Sequence, residues 1–286
     1  MVSSKFKLMR LLLREWFSKA ELRRRPEPTA EMDRIENVEA FHAQGGNNGP
    51  LLPIYHFNAL AMSYLVNKGG TVVDLGSGSG QFLAYLSRCR PDLKIVGVEL
   101  AEAMVETGQQ LLHQQGLGDR IQIVYGDMTR FTEFVPAKVD LISTVFSLHH
   151  LPELESLLEC MMQIRQLRSR EQCSVWVFDH VRPRQLKTAK EFPEIFTPNA
   201  GAEFNQDSEN SLVAAYTLKD LSILLDEHAG GGFAHRCSRF LRLYQVHWCR
   251  GRDSGHDAWT EPGLIRDWRD FNGLQSLFRG IPTRPE

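Results

Sequence analysis

The sequence predicts an α/β domain of the doubly wound kind, a mostly parallel sheet with helices on both faces. Three observations carry that reading. Between residues 71 and 178 short apolar runs alternate with helix-period stretches in the order β-α-β-α-β, which implies a parallel sheet with right-handed crossovers. Thr71, Val72 and Val73 lead into Asp74 and glycines at 76, 78 and 80, followed by the helical pattern of Phe82, Leu83, Tyr85 and Leu86, so this stretch reads as strand, tight turn and helix. The fifth strand, residues 174–178, reads apolar along its length, as a strand covered on both faces should.

Ahead of this core, residues 5–25 place Met9, Leu12, Leu13, Trp16 and Ala20 at helical spacing, with eight basic residues against two acidic ones. One appended helix covering the domain, its charged face in water, is expected. A membrane-surface helix or an organelle presequence is the competing reading. Pro26 and Pro28 end the helix and act as a short linker. A second helix is expected over residues 30–43, then a turn-rich GGNNGPLLP at 45–53 that could serve as a lid. Tyr55, His56 and Asn58 begin the helix that leads to the first strand and ends near residues 67–70.

Beyond the glycine turn, residues 94–98 give the second strand, 121–125 the third and 139–143 the fourth. The helix at 153–168 then sets Leu154, Leu157, Leu158, Met161 and Ile164 on one face. After Asp179 the regularity stops. Residues 180–215 hold three prolines and a small polar run, too long for a plain connection, and read as an insertion capping the substrate side. Order returns at Thr217 to Asp220, a capping-box-like start, with Leu218, Leu221 and Leu225 behind it and Gly230 to Gly232 ending that helix. Residues 233–240 and 241–249 read as a last strand pair, and a short helix is expected around 264–271. The chain thus divides into a helical extension or lid (1–60), a core domain (61–249, with 180–215 as its cap) and a tail (250–286).

The glycine turn must bring bare backbone close to a ligand, since Gly alone takes positive φ without a Cβ in the way. The helix behind it offers free N–H groups to a negative group. The spacing is D-x-G-x-G-x-G, and Gln81 stands where a dinucleotide fingerprint has its third glycine. Asp74 would repel a pyrophosphate yet suits an ammonium. A ligand with both a carboxylate and an ammonium is therefore indicated, and S-adenosylmethionine has both. Glu99 follows the second strand, 19 residues after Gly80, where an acid accepts hydrogen bonds from ribose hydroxyls. Asp127, in Gly126-Asp127-Met128 after the third strand, is placed to hold an adenine amino group. Each acid alone is equally a helix N-cap; three at successive strand ends point to one ligand.

With these motifs the chain resembles the class I S-adenosylmethionine-dependent methyltransferases, over roughly residues 60 to 248. VVDLGSGSG is similar to the family's first motif, VGVEL to its ribose motif, YGDM to its adenine motif and ISTVFSLHHLPE to its fourth. The resemblance implies S-adenosyl-L-methionine as cofactor and a seven-stranded sheet closed by an antiparallel strand pair. By the same resemblance Asp74, Gly76, Ser77, Gly78 and Gly80 line the methionine end, Glu99 and Leu100 the ribose, and Asp127 with Met128 the adenine. The segment before the first strand often closes over the methionine end in this family, so Tyr55 and His56 are pocket candidates, with ordinary helix packing as the alternative.

Methyl transfer from a sulfonium is an in-line displacement in which positioning supplies much of the acceleration, and oxygen or nitrogen acceptors can require a base. His149 and His150, in the loop after the fourth strand, are the candidates, because ligands bind at strand carboxyl ends and imidazole titrates near neutrality. The alternative is that they order the loop. Asp179 and His180, after the fifth strand, are the next candidates on the substrate side. Members that methylate amide or base nitrogens carry D/N-P-P-Y/F after the fourth strand; here Ser143 to Ser147 reads STVFS, which discounts that acceptor class. Phe146 can still lie against the sulfonium through its ring face. Asp179-His180 and residues 203–207 are oxygen-rich, but no spacing singles out a metal site, so none is assigned.

Composition narrows the rest. The chain has 286 residues, 42% of them apolar, and a net charge of −2, enough for a sizeable core and no global attraction for DNA or another nucleic acid. Cys89, Cys160, Cys173, Cys237 and Cys249 are scattered and odd in number, which argues against a disulfide framework and for a reducing cytoplasm. No apolar run is long enough to span a bilayer, and Arg10 and Arg14 interrupt the only leader-like patch. The leading expectation is a cytoplasmic methyltransferase acting on a small-molecule acceptor, the O, N, S or C atom undetermined and a homodimer left open. The alternatives are a protein or RNA methyltransferase using residues 5–25 as footprint, and a catalytically silent cofactor-binding partner subunit.

Overall fold

The computed structural model describes residues 4–28, 49, 51–240, 242–252 and 277–282. Its centre is a seven-stranded sheet in the order β3-β2-β1-β4-β5-β7-β6. The strands are β1 (Thr71–Leu75), β2 (Lys94–Glu99), β3 (Ile121–Tyr125), β4 (Leu141–Val145), β5 (Ser174–His180), β6 (Ala234–Cys237) and β7 (Tyr244–Cys249). β1 to β5 are parallel neighbours, and β7 pairs antiparallel with both β5 and β6. The chain winds outward from β1 in one direction through β2 and β3 and in the other through β4 and β5. The carboxyl ends of β1 and β4 therefore flank the switch point at which such sheets bind ligands.

Strand alternation builds two cores. Val72, Trp176 and Phe178 face one side, where they meet Phe57 of α2 (Leu52–Ser63), Leu83 of α3 (Gln81–Cys89) and Leu112 of α4 (Glu102–Gln114). Val73, Leu75, Val175 and Val177 face the other, against Leu157 and Ile164 of α5 (Leu154–Glu171) and Leu221 of α8 (Leu218–His228). This is the period-2 pattern of a strand buried on both faces. Trp176 is fully buried, and its indole N–H donates to Asn58 Oδ1 at 2.7 Å, so the polar edge of the largest core side chain is satisfied. Phe278 from the tail stacks on Phe57, centroids 5.2 Å apart.

Several boundaries differ from the sequence reading. β4 lies two residues later than expected, and β5 runs on through Asp179 and His180, which belong to the strand rather than to the loop after it. The continuation has a cause: β7 pairs with both residues, Asp179 opposite Gln245 and His180 opposite Tyr244. The cap at 180–215 is not irregular but folds into α6 (Leu186–Phe196) and α7 (Ala202–Ala214). Pro193 inside α6 hides a helical face that buries Ala189 and Phe192, and α7 is polar between Phe204 and its buried last turn. The Thr217 start is as read, its hydroxyl accepting from Asp220 N at 3.1 Å.

The amino-terminal helix is shorter than expected and turned. α1 covers Ser4–Phe17, and residues 18–28 follow as an extended strap. Met9, Leu13 and Trp16, read as the packed face, are 56, 44 and 45% exposed, whereas Leu11 is fully buried against Ala189, Phe192, Leu212 and Leu243. The rotation follows from Glu191 on α6, which takes Arg10 and Arg14 at 2.8 and 2.7 Å. The arginines thus dock on the protein with Leu11 between them. The helix expected at 30–43, most of the 45–53 turn and the tail helix at 264–271 lie outside the described residues. Among the described residues no helix is long and apolar enough to cross a membrane.

Candidate active site

β1 ends by delivering Asp74 into the crevice, and the chain then turns on Gly76, Gly78 and Gly80, all at positive φ. The requirement is sharpest at Gly76, where a Cβ would lie 2.5 Å from Ser147 Cβ. At Gly78 nothing lies within 4 Å of a built Cβ; its missing side chain leaves open cavity rather than avoiding a neighbour. Gly78 N donates to Glu99 Oε2 at 2.7 Å and Ala101 N to Oε1 at 2.9 Å, so Glu99 at the end of β2 pins the glycine turn. Each oxygen keeps a lone pair for a ligand hydroxyl. Asp127 accepts from Thr129 N at 2.8 Å and caps the 3₁₀ turn Met128–Glu133.

Asp74 is buried, and Ser143 on β4 donates to its Oδ1 at 2.5 Å. Burial pushes its carboxyl up, the Ser143 hydrogen bond opposes this and the charge of Glu99 adds to it, leaving Asp74 at about 7.

One cavity of about 790 Å³ runs from this end to the cap, at the upper end of the ~300–1,000 Å³ usual for small-molecule sites. Asp74, Gly76, Ser77, Gly78, Glu99, Leu100, Asp127 and Met128 line one part of it. Tyr55, Phe146, His149, His150 and His180 line the other, with Phe192 and Phe204 of the cap. Phe146 holds φ at 58°, strain of the kind that gathers at functional sites, and its ring stacks on His180 at 4.4 Å. Burial drives His180 down to about 3, so this imidazole is neutral.

His149 Nδ1 lies 2.5 Å from Asp179 Oδ1, and the imidazole is 1% exposed with no partner for Nε2. The neighbouring His150 is hydrogen-bonded through Nδ1 to Glu27 of the strap. For His150, burial favours the neutral ring, but the charge of Glu27 and its hydrogen bond overcome this and raise it to about 9. For Glu27, burial pushes the carboxyl up, and the two histidines reverse that and hold it at about 2. Arg24 anchors the strap by donating to Pro152 O, Leu151 O and Ala214 O at 2.6 to 2.7 Å.

Not every expected residue reaches the cavity. His56 turns away and bonds Tyr85 Oη through Nδ1 at 2.7 Å. Gly80 shapes the turn as the N-cap of α3 but does not line the cavity, and Asp179 stands behind His149. Glu27 escaped the sequence reading because it is 122 residues from His149 in the chain; the flanking Pro26 and Pro28, which favour extended backbone, were its only signal.

The model of the family described as "Methyltransferase domain" matches residues 72–170. That span holds the glycine turn and all three acidic strand ends. Residues 72–170 carry a match to a methyltransferase domain. It is 23% identical over 158 residues to a ubiquinone/menaquinone biosynthesis C-methyltransferase of Pseudomonas entomophila, covering 54% of this chain and 60% of that protein. It is 21% identical over 140 residues to a ubiquinone biosynthesis O-methyltransferase of Photorhabdus laumondii, covering 47% and 57%. The chain thus spans about 60% of the length of these curated relatives. Among solved structures, the domain's fold is similar to the plantazolicin methyltransferase BpumL in complex with SAH, with TM-score 0.54, 14% identity and 87% and 97% of the two chains covered. It is likewise similar to a SAM-dependent methyltransferase from Aquifex aeolicus, with TM-score 0.51, 16% identity and 74% and 96% covered.

Proposed function

We propose that this chain transfers a methyl group from S-adenosylmethionine to a small-molecule acceptor bound beneath the α6–α7 cap. One observation carries the reading: a single cavity joins the Asp74–Gly78–Glu99 end to a buried imidazole, His149, whose Nε2 has no partner. The open space over Gly78 and the raised carboxyl of Asp74 fit the methionine end of the cofactor. In this reading Asp74 receives the ammonium, Gly76, Ser77 and Gly78 pass along the methionine chain, Glu99 and Leu100 hold the ribose and Asp127 with Met128 borders the adenine. When bound, the cofactor supplies a methyl on a positively charged sulfur. Phe146, Tyr55 and His180 shape the space in which the acceptor's reacting atom meets it.

Activation of the acceptor falls to His149. In this reading Nδ1–H donates to Asp179, which fixes the tautomer and leaves the Nε2 lone pair directed at the cavity. A bound hydroxyl or amine finds there the group that lowers the cost of losing its proton. His150, paired with Glu27, stands beside it, ring centroids 4.2 Å apart. The amino-terminal basic residues support a small acceptor rather than a protein or RNA, because Lys7, Arg10 and Arg14 pair with Glu194 and Glu191 and Arg24 is turned inward. All five cysteines are free thiols, which supports a reducing cytoplasm.

The test is calorimetric titration of the full chain with S-adenosylmethionine and with S-adenosylhomocysteine, followed by a methyl-transfer screen over small acceptors. Micromolar binding of both is expected. Failure of both to bind would overturn the reading.

A further inference from the structure

The reactive end of the cavity contains an imbalance that a proton-transfer role does not resolve. His149 Nδ1 is hydrogen-bonded to Asp179, and its Nε2 faces Glu27 Oε1 at 3.8 Å, beyond hydrogen-bond distance. Neither atom has a partner within hydrogen-bond distance, although Ser211 also lies against the Glu27 carboxylate, and the two side chains are 1% and 6% exposed. Each buried atom left in this state forgoes its hydration, a cost of about 1–3 kcal/mol per group. A cation between them removes both penalties.

We propose that Glu27, His149 and His150 bind a divalent cation of the zinc or iron(II) type, seated where the acceptor's reacting atom arrives. One ring nitrogen from each histidine and one carboxylate oxygen lie within 4.8 Å of one another. Ligands about 2.0–2.2 Å from a tetrahedral ion stand roughly 3.4 Å apart, so the trio closes on an ion with side-chain shifts on the order of 1 Å. The cation displaces the proton shared by His150 and Glu27. Two imidazoles and one carboxylate suit borderline transition metals rather than Mg²⁺, which prefers six oxygens. Asp179 behind His149 is the carboxylate that orients a metal-bound imidazole and raises its basicity. Three protein ligands leave a coordination position open to the cavity, where an acceptor oxygen or nitrogen is polarised and loses its proton more readily; with the ion bound His149 is a ligand, and the ion rather than its Nε2 lone pair activates the acceptor. The consequence for catalysis rests on the methyltransferase reading; the binding of the ion does not.

The experiment uses the full chain, stripped with a chelator and titrated with CoCl₂, with ZnCl₂ as competitor. The expected result is one Co²⁺ per chain, displaced by Zn²⁺ and not by Mg²⁺, with an absorption spectrum lacking thiolate charge transfer, so that the cysteines are excluded as ligands. Glu27→Gln and His150→Asn should each weaken binding at least about tenfold and Asp179→Asn about 10–100-fold. S-adenosylhomocysteine titration of the same variants reports on their folding and should stay within about twofold of the parent. Absence of Co²⁺ binding, or binding that Glu27→Gln and His150→Asn leave unchanged, would overturn the proposal. With S-adenosylhomocysteine still bound, that outcome leaves the methyltransferase reading standing. Co²⁺ binding that these variants weaken, in a chain that does not bind S-adenosylhomocysteine, would support the cation site and overturn the methyltransferase reading instead.

Discussion

His149 on the loop after β4 and Asp179 near the end of β5 meet at 2.5 Å, and the Asp179 carboxylate also accepts the backbone N–H of His149 at 3.2 Å. The two hydrogen bonds fix both the ring and the chain that carries it. Asp179→Asn retains the shape but places an amide donor or a weaker acceptor against Nδ1, so the proton can shift to Nε2. With an acceptor found by screening, kcat should fall about 10²-fold or more, and His149→Ala should fall as far. S-adenosylhomocysteine affinity, measured by calorimetry, should hold within about twofold for both. Unchanged kcat would reject the role of the pair.

Asp74 sets a pH dependence on cofactor binding. Its carboxyl sits at about 7 because burial outweighs the Ser143 hydrogen bond, and only the carboxylate attracts an ammonium. Affinity for S-adenosylhomocysteine should rise between about pH 5.5 and 8 and level off above, approaching tenfold per unit on the acid side. Calorimetry across that range tests it, with Asp74→Asn flat and weak throughout.

The same carboxyl also affects the stability of the ligand-free chain. The unfolded state loses this proton near 3.8, whereas the folded state keeps it until about 7. The folded state therefore binds the extra proton between those values and loses stability as pH rises through them, the whole cost being present above about 7. Asp74→Asn removes that cost. Its Tm without ligand should exceed the parent's at about pH 8, and the difference should shrink toward about pH 4, by scanning calorimetry.

Gly76 and Gly78 both have positive φ but for different reasons. Gly78→Ala places its methyl in open cavity, so it should cost about 1–2 kcal/mol of stability through backbone strain and weaken cofactor binding about tenfold or more, ~1.4 kcal/mol. Gly76→Ala drives the methyl into Ser147 and should destabilise the fold by more than Gly78→Ala. Urea denaturation and calorimetry separate the two effects.

α1 tests whether the amino-terminal extension is part of the folded domain. Leu11 is wholly buried between α6 and α7, while Leu13 is 44% exposed. Leu11→Ala should cost about 2–5 kcal/mol and Leu13→Ala no more than about 0.5 kcal/mol, by denaturant unfolding. Equal effects would place the helix differently on the domain.

The sequence by itself determined the β-α alternation, the glycine turn and the acids Asp74, Glu99 and Asp127, because these are set by short-range chemistry: strand period, φ at glycine and the residue ending each parallel strand. It determined the candidacy of His149 and His150 for the same reason. Only the tertiary structure decided which side of α1 is packed, since Glu191, far along the chain, takes Arg10 and Arg14. It turned His56 to Tyr85, set Asp179 behind His149 and folded 180–215 into two helices whose stability comes from packing rather than from their own pattern. Glu27 is the sharpest case. Nothing near it in the chain marks its chemistry, which arises only when the strap, tied down by Arg24, carries it to two histidines more than a hundred residues away.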